Sequence, residues 1–122
     1  MKRLPLYACA ALAAQAVFSQ AGAADAERGR QLYESRCIGC HSIDANRVGP
    51  AHKGVFGRKA GAIKDYDYSD ALKKSRVVWG EKTLGLWLTN PERLIPGQKM
   101  GFSVPEAKDR ADLIEFLKLQ SR

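Results

Sequence analysis

Two cysteines three positions apart, followed directly by a histidine, dominate the interpretation of this chain. They stand in the stretch Cys37-Ile38-Gly39-Cys40-His41. In an attachment site for c-type haem, two such thiols form thioethers with the porphyrin, and the adjacent imidazole binds the iron. The motif therefore predicts one haem c, attached covalently through Cys37 and Cys40, with His41 as an iron ligand.

The same motif also occurs in two other kinds of site. A C-x-x-C pair in an exported protein can form a disulfide or a redox-active dithiol, but neither has a use for His41. Thioredoxin-type motifs also follow a strand, whereas residues 25–36 are predicted to form a helix. Zinc needs about four ligands, and the chain without its leader offers four soft donors, two of them sequence neighbours: Cys37, Cys40, His41 and His52. The motif favours haem, and the zinc and dithiol interpretations stay open.

The first 24 residues have the composition of a secretory signal peptide. A basic pair at residues 2–3 precedes an uncharged apolar run at 4–18, and small residues at 21–23 match a cleavage site. The apolar run is shorter than the ~20 residues that a membrane-spanning helix needs. We expect residues 1–24 to be cleaved off during export to the periplasm, and residues 25–122 to form one domain.

Helix signals are clearest at the two ends of this domain. Asp25 can cap a first helix that runs to about Arg36, and Gly29, Leu32 and Tyr33 share its apolar face. Glycine inside a helix costs about 1 kcal/mol, so its position on the apolar face indicates that another helix crosses closely there.

The last helix is predicted to begin at a capping box, Ser103-Val104-Pro105-Glu106, and to continue toward the C-terminus. Its apolar face consists of Leu113, Ile114, Phe116 and Leu117. We expect this face to pack against the first helix.

Two shorter helices are predicted between the terminal ones. One covers residues 69–74, capped by Ser69 or Asp70, and the other runs from Glu81 to Thr89 and ends at Asn90-Pro91. No stretch alternates apolar and polar residues well enough for a sheet. The predicted fold is all-α, with the N- and C-terminal helices packed together and short helices and loops wrapped around the haem. The haem would add apolar mass to a small core.

The second iron ligand has to come from a short set of donors. Without the leader, Met100 is the only methionine and His52 the only histidine outside the motif, and lysines are the other possible donors. Met100 lies in the turn-rich segment 95–102, far enough along the chain from His41 to reach the opposite haem face. A lone methionine is often a soft core filler, but a position in a glycine-containing loop favours Met100 as the ligand.

Together these features resemble the class I cytochromes c, close to mitochondrial cytochrome c and its small bacterial periplasmic counterparts. The resemblance covers residues 25–122. Besides C-x-x-C-H it rests on these motifs, in order: Gly29 and Tyr33, Gly49-Pro50, Gly54-Val55-Phe56-Gly57-Arg58, Tyr66-Asp67-Tyr68-Ser69-Asp70-Ala71, Trp79-Gly80-Glu81, Asn90-Pro91, Ile95-Pro96-Gly97 with Lys99-Met100, and Arg110-Ala111-Asp112-Leu113-Ile114. It implies that His41 and Met100 are the axial ligands and that the backbone carbonyl of Pro50 accepts a hydrogen bond from the imidazole.

By the same resemblance, Tyr68 and Trp79 would hydrogen-bond a buried haem propionate, and Arg58 would offset its charge. A carboxylate buried without such partners is costly. The open alternatives are that Trp79 is an ordinary core aromatic and that Arg58 is a solvated surface cation.

The chain departs from the usual family pattern in three places. Ala51-His52 follows Gly49-Pro50 where the family commonly has Asn-Leu, so an imidazole stands where an apolar side chain usually packs near the proximal ligand. We expect a rim or hydrogen-bonded structural histidine there, and leave open that its titration tunes the potential or that it binds a metal or another haem. Trp87 replaces a tyrosine, and Gln98 a threonine, in the polar network near Met100.

Two filled axial positions leave no open iron site for oxygen or substrate, and a thioether ligand raises the reduction potential. We therefore expect a periplasmic one-electron carrier and not an enzyme. It would move electrons from a quinol-oxidising complex or a dehydrogenase to a terminal oxidase, peroxidase or reaction centre of a respiratory or photosynthetic chain. The alternatives are a haem peroxidase or ligand sensor with a labile Met100, and an electron-accepting subunit of a larger redox complex.

The charge of the chain predicts its partners. Without residues 2–3 the chain has 18 basic against 13 acidic residues, an excess that suits acidic proteins or anionic membrane surfaces. It carries no recognised nucleic-acid fold signature. We expect Lys53, Lys82 and Lys99 to ring the exposed haem edge of a monomer and to steer acidic redox proteins into transient complexes. We expect no nucleic-acid partner, and no stable membrane insertion once the leader is removed.

Overall fold

The computed structural model describes residues 22–122, so most of the expected leader lies outside the described residues. The described part of the chain has five helices and no strand: α1 (Ala26–Arg36), α2 (Asp70–Lys74), α3 (Glu81–Thr89), α4 (Pro91–Leu94) and α5 (Ala107–Leu119). A single antiparallel bridge joins Lys59 to Val78. None of the described helices is both long enough and apolar enough to cross a membrane. The prediction of an all-α fold is confirmed.

Helix α1 begins where its sequence signal predicts. The Asp25 side chain accepts hydrogen bonds from the backbone N–H groups of Glu27 and Arg28, both at 3.0 Å. These bonds satisfy two donors that the first turn leaves without intrahelical partners. The predicted apolar face, which includes Tyr33, is buried.

The two terminal helices cross at Gly29. A Cβ atom there would overlap the carbonyl oxygen of Asp112 in α5 and lie 2.9 Å from the Cβ of Phe116. Only glycine allows the two backbones to approach so closely. On the α5 side, Leu113 is 1% exposed, and Ile114 and Leu117 are also buried. The predicted packing of α1 against α5 is confirmed.

An ion-pair network closes one side of this crossing. Arg28 of α1 reaches both Asp109 and Asp112, at 2.5 and 2.6 Å, and Lys108 contacts Asp112 at 2.5 Å. The Asp112 side chain is fully buried. Its burial raises the pKa, but hydrogen bonds from Lys108, the backbone N–H of Asp25 and Arg28 together lower it to about 2. Asp112 is therefore a carboxylate that ties the start of α1 to α5.

The predicted capping box at the start of α5 is wrong. The helix begins at Ala107, and Glu106 occupies the cap position without a side-chain hydrogen bond. The preceding segment is extended instead, because Val104 is completely buried and its N–H donates to the carbonyl of Leu88 at 2.7 Å. Arg110 satisfies the Val104 carbonyl from within α5. Tertiary contacts therefore replace the local cap.

The short central helices have their predicted bounds. Ser69 caps α2, its hydroxyl accepting from the N–H of Leu72 at 3.1 Å. Asn90 ends α3 as predicted, and its side chain also accepts from the N–H of Arg93 and caps α4, with Pro91 in the first turn. Helix α4 was not expected from the sequence.

Candidate functional site

The C-x-x-C-H stretch lies at the end of α1. Cys37 is the C-terminal cap residue, and its N–H donates to the carbonyl of Tyr33 at 2.8 Å. The chain then turns tightly, with the N–H groups of Cys40 and His41 both donating to the carbonyl of Cys37. Cys37 and Cys40 are not joined by a disulfide. The turn therefore presents two unbridged thiols and an imidazole close together.

The surroundings of these thiols disfavour the two alternative sites. Burial raises the pKa of Cys37 to about 11, and its position at the C-terminal, negative end of a helix also disfavours a thiolate. A redox-active dithiol needs a thiol whose pKa is lowered, so that the thiolate forms readily. Among residues 22–122, no group of three or more histidine, cysteine or acidic side chains is arranged to hold a metal ion. The structure thus adds no support for a dithiol or zinc site.

The His41 imidazole is held in one orientation. Its Nδ1 lies 2.9 Å from the carbonyl oxygen of Pro50. Because a carbonyl can only accept, Nδ1 carries the proton and Nε2 keeps its lone pair for a metal. Burial lowers the pKa of His41 more than the bond to Pro50 raises it, so the ring is neutral. A Cβ at Gly49 would overlap this ring, which explains why a glycine precedes Pro50.

His52 lies directly against His41. The two rings stack with centroids 4.0 Å apart and planes 19° apart, and Nδ1 of His52 is 2.9 Å from the hydroxyl of Tyr33. Burial, followed by the nearness of His41 and Arg58, lowers the pKa of His52 to about 3. The ring stays neutral near pH 7. His52 is therefore a hydrogen-bonded histidine beside the predicted ligand, and the structure gives no support for tuning by its titration.

Arg58 and Trp79 are brought together by backbone pairing. The N–H of Trp79 donates to the carbonyl of Arg58 at 2.8 Å. The guanidinium donates to the carbonyls of Ala51 and Lys53, and burial lowers the pKa of Arg58. Tyr68, like Trp79, is 7% exposed. Arg58 is thus fixed against the loop that carries His52 and is not a freely solvated cation.

Met100 lies half-buried in the loop between α4 and α5. Its backbone N–H donates to the side-chain carbonyl of Gln98 at 2.5 Å. Glu92 of α4 in turn accepts from the N–H of Gly97 and from the Gln98 amide. Trp87 packs edge-on to the Trp79 ring. The unusual Gln98 therefore connects α4 to the backbone of Met100.

Two partners in this site were missed from the sequence. The sequence predicts Tyr33 only as part of an apolar helix face and predicts no role for Glu92. Tyr33 and Glu92 lie in helices, but the residues that they bond, His52 and Gly97, lie in loops whose positions depend on tertiary structure. For Tyr33 the one available signal was a polar residue, His52, at a position that is usually apolar.

The residues present fit a covalently attached haem. Two free thiols and the Nε2 lone pair of His41 are available next to one another. Apolar side chains within the motif and near Met100 are exposed, with Ile38 46% and Phe102 43% accessible. They are available to contact a large apolar group.

Known proteins are similar to this chain over most of its described residues. Residues 26–121 match the family model for cytochrome c. Over 98 residues the chain is 43% identical to cytochrome c of Gibberella zeae, with 77% of this chain and 92% of that protein covered. Over 102 residues it is 42% identical to cytochrome c of Arabidopsis thaliana, with 80% and 91% covered.

A solved structure agrees as well. Cytochrome cH from Methylobacterium extorquens aligns with a TM-score of 0.74 and 41% identity, covering 78% of this chain and 98% of that one. The fold, the thiol pair and the relatives together identify the chain as a member of the cytochrome c family of electron carriers, with one haem c attached covalently through Cys37 and Cys40.

Proposed function

We propose that this cytochrome c is an exported one-electron carrier whose haem iron is held by His41 and Met100. The observation that carries the proposal is the state of the His41 ring. Its Nδ1 is bonded to the Pro50 carbonyl and its Nε2 lone pair is available, one residue from Cys40. A proximal ligand next to a covalent haem attachment needs this arrangement.

The chain sets the properties of the redox centre. When bound, the haem iron supplies a one-electron Fe(III)/Fe(II) couple. The Pro50 carbonyl orients His41 and increases the basicity of its Nε2. Met100 offers a thioether, a soft donor that favours Fe(II) and so raises the potential. With both donors in place, no position remains for a substrate, which suits a carrier and not an enzyme.

The Met100 loop is anchored on both sides. Ile95, before it, is 6% exposed, and Val104, after it, is fully buried and bonded to α3. Gln98 holds the Met100 backbone between these anchors. Such a loop keeps its donor in place against competing ligands, whereas a peroxidase or ligand sensor would need Met100 to leave.

We propose that a haem propionate is surrounded by Arg58, Tyr68 and Trp79. Both aromatic side chains are almost fully buried, and Arg58 is partly withdrawn from water. These groups offer a cation and two donors where a buried carboxylate would otherwise be costly.

Absorption spectroscopy of the oxidised protein tests the ligand set. The wild type should show a methionine-to-Fe(III) charge-transfer band at neutral pH that survives added imidazole at low concentration. Met100→Ala should lose the band and bind the added ligand. Gly101→Ala is the matched control, because a Cβ there meets no atom within 4 Å, and it should keep the band. A band that persists in Met100→Ala would refute Met100 as the ligand.

The exposed basic residues support acidic redox proteins as transient partners. Lys53 and Lys82 are exposed, and the Lys99 side chain is 60% exposed beside Met100. The apolar Ile38 and Phe102 are exposed beside the cysteine motif and beside Met100. Exposed cations together with exposed apolar side chains suit short-lived complexes that form rapidly by electrostatic steering.

Stopped-flow electron transfer to an acidic partner protein tests this steering. The rate constant should fall steeply between low and physiological salt, since screening shortens the range of charge interactions to about 8 Å at 0.15 M. Lys53→Gln should slow the reaction at low salt, whereas Lys74→Gln, which removes the same charge from an exposed position in α2, should change it little. A rate independent of salt would exclude steering by these charges.

Export to the periplasm is proposed from the leader-like first 24 residues. Mass spectrometry of the protein purified from a periplasmic extract should find an N-terminus at Ala24 or Asp25. An intact N-terminus on the haem-bearing protein would argue against cleavage. Size-exclusion chromatography of the same extract should place the protein at the mass of a monomer, and elution in a large assembly would instead favour a subunit of a redox complex.

A further inference from the structure

A line of side chains connects the crossing of the terminal helices to the proximal histidine. Phe116 of α5 packs against Tyr33 of α1, with ring centroids 5.2 Å apart. The Tyr33 hydroxyl bonds to Nδ1 of His52 at 2.9 Å, and the His52 ring stacks on His41 at 4.0 Å. Each member touches the next, so the helix pair contacts His41 through His52.

The members of this line are held firmly. Tyr33 is 3% exposed, and burial raises the pKa of its hydroxyl, which therefore keeps its proton. Arg58 donates to the carbonyls of Ala51 and Lys53, the residues on either side of His52. The backbone and the ring nitrogen of His52 are thus fixed independently of each other, and the ring has little freedom to leave His41.

The contact with His41 differs in kind from the Pro50 hydrogen bond. Pro50 accepts in the plane of the imidazole at Nδ1, which sets the direction in which Nε2 points. His52 lies against a face of the same ring, and the planes of the two rings are 19° apart. A face contact resists rotation of the ring plane, which a single in-plane hydrogen bond allows.

We propose that His52, anchored by Tyr33, is a positioning residue that fixes the plane of the His41 imidazole and lowers the reduction potential of the centre. The inference rests on the proposed role of His41 as an iron ligand. It assigns a purpose to the polar residue at a position where the family usually has an apolar one.

The effect on potential follows from polarity. Oxidation places additional positive charge on the iron and its ligands, and a polar, hydrogen-bonded ring against His41 stabilises that charge better than a hydrocarbon. Replacing His52 by an apolar residue should therefore favour the reduced form. Mutating the outer partners of a metal ligand typically changes metal affinity or activity by about 10- to 100-fold, and we expect the redox equilibrium to change by an amount near the lower end of that range.

Redox titration and electron paramagnetic resonance of the haem-loaded protein test the proposal. His52→Leu should raise the equilibrium constant for reduction about tenfold, which is about 59 mV for one electron. It should also change the g values of the oxidised protein, which depend on the orientation of the plane of a histidine ligand. Tyr33→Phe, which removes one hydroxyl and keeps the packing on Phe116, should shift both quantities in the same direction by a smaller amount.

The double variant separates the proposed route from general loosening. If Tyr33 acts through His52, adding Tyr33→Phe to His52→Leu should cause no further change in potential or g values. Should His52→Leu fail to fold, His52→Gln keeps a hydrogen-bonding group near Tyr33 without a ring to stack, and it should alter the g values in the same way.

The outcomes that overturn the proposal are distinct from failure of the proposed function. Unchanged potential and g values in His52→Leu, or in His52→Gln if that variant is used, overturn the positioning role. Equal shifts from Tyr33→Phe with and without His52 overturn the anchoring by Tyr33. If the wild type itself lacks the pyridine haemochrome of haem c or the charge-transfer band of a methionine ligand, the proposed function fails and this inference with it.

Discussion

The crossing of α1 and α5 at Gly29 predicts opposite effects for the same substitution at two helical glycines. Alanine inside a helix is worth about 1 kcal/mol more than glycine. At Gly85, in α3, an added Cβ meets only the Cδ1 of Ile114 at 4.0 Å, an ordinary contact. Gly85→Ala should therefore stabilise the protein by about 1 kcal/mol.

At Gly29 the added Cβ would overlap the Asp112 carbonyl and lie 2.9 Å from the Phe116 Cβ. Neither atom can rotate away, because one is backbone and the other is attached directly to it. The helices must separate, which places the cost near the upper end of the range of about 1–3 kcal/mol for overpacking. After the propensity gain of about 1 kcal/mol, Gly29→Ala should destabilise the protein by about 2 kcal/mol.

Guanidinium unfolding of the two haem-loaded variants, followed by far-UV circular dichroism, measures the difference. A loss of about 2 kcal/mol also corresponds to a fall of about 8 to 16 °C in the thermal midpoint of a domain of this size. The reasoning would be refuted if Gly29→Ala were as stable as the wild type, or if both variants lost stability equally, since propensity and crowding would then not explain the result.

Three further predictions concern charge, cap and attachment. Asp112→Asn should lower the free energy of unfolding, measured in urea at pH 7, by about 2 kcal/mol. This is about the value of a hydrogen bond to a charged group. The pKa of Asp112 is lowered to about 2 in the folded state. The stability that its carboxylate contributes is therefore fully present above about pH 4 and is lost as the pH falls through about 2. Between these pH values the free energy of unfolding should depend less on pH in Asp112→Asn than in the wild type. Asp25→Ala should lower the free energy of unfolding by about 1 kcal/mol, whereas Ser103→Ala should change it by less than about 0.5 kcal/mol. Equal losses in the two variants would show that Ser103 does cap α5. Replacing both Cys37 and Cys40 by alanine should let acidified acetone extract the haem, which stays with the protein in the wild type.

The bounds of the helices were largely predictable because their signals are local. Asp25 and Ser69 cap α1 and α2 with their own side chains, within three residues of the donors they satisfy. Thr89 and Asn90 likewise end α3 where the following proline requires it. There are two exceptions. Helix α4 was not predicted, and the locally correct cap pattern at Ser103 is overridden by the burial of Val104 against α3.

The candidate site likewise has one part that the sequence predicts and another that it does not. Covalent haem attachment follows from the motif, since Cys37 and Cys40 stand at the spacing that haem c attachment requires, with His41 next to them as the proposed iron ligand. The partners of these groups do not follow from spacing. The Tyr33 hydroxyl and Nδ1 of His52 are 19 residues apart in sequence, and no local pattern indicates that they meet.

By itself, the sequence determined that the chain carries haem c on a motif at the end of a helix and belongs among all-α carriers of the cytochrome c type. These conclusions depend on residue identity and short spacings, which the chain fixes before it folds. Only the tertiary structure decided that His52 stacks on His41 instead of lying at the rim. That position results from the crossing of α1 and α5, from Tyr33 at their interface and from the carbonyls that Arg58 holds.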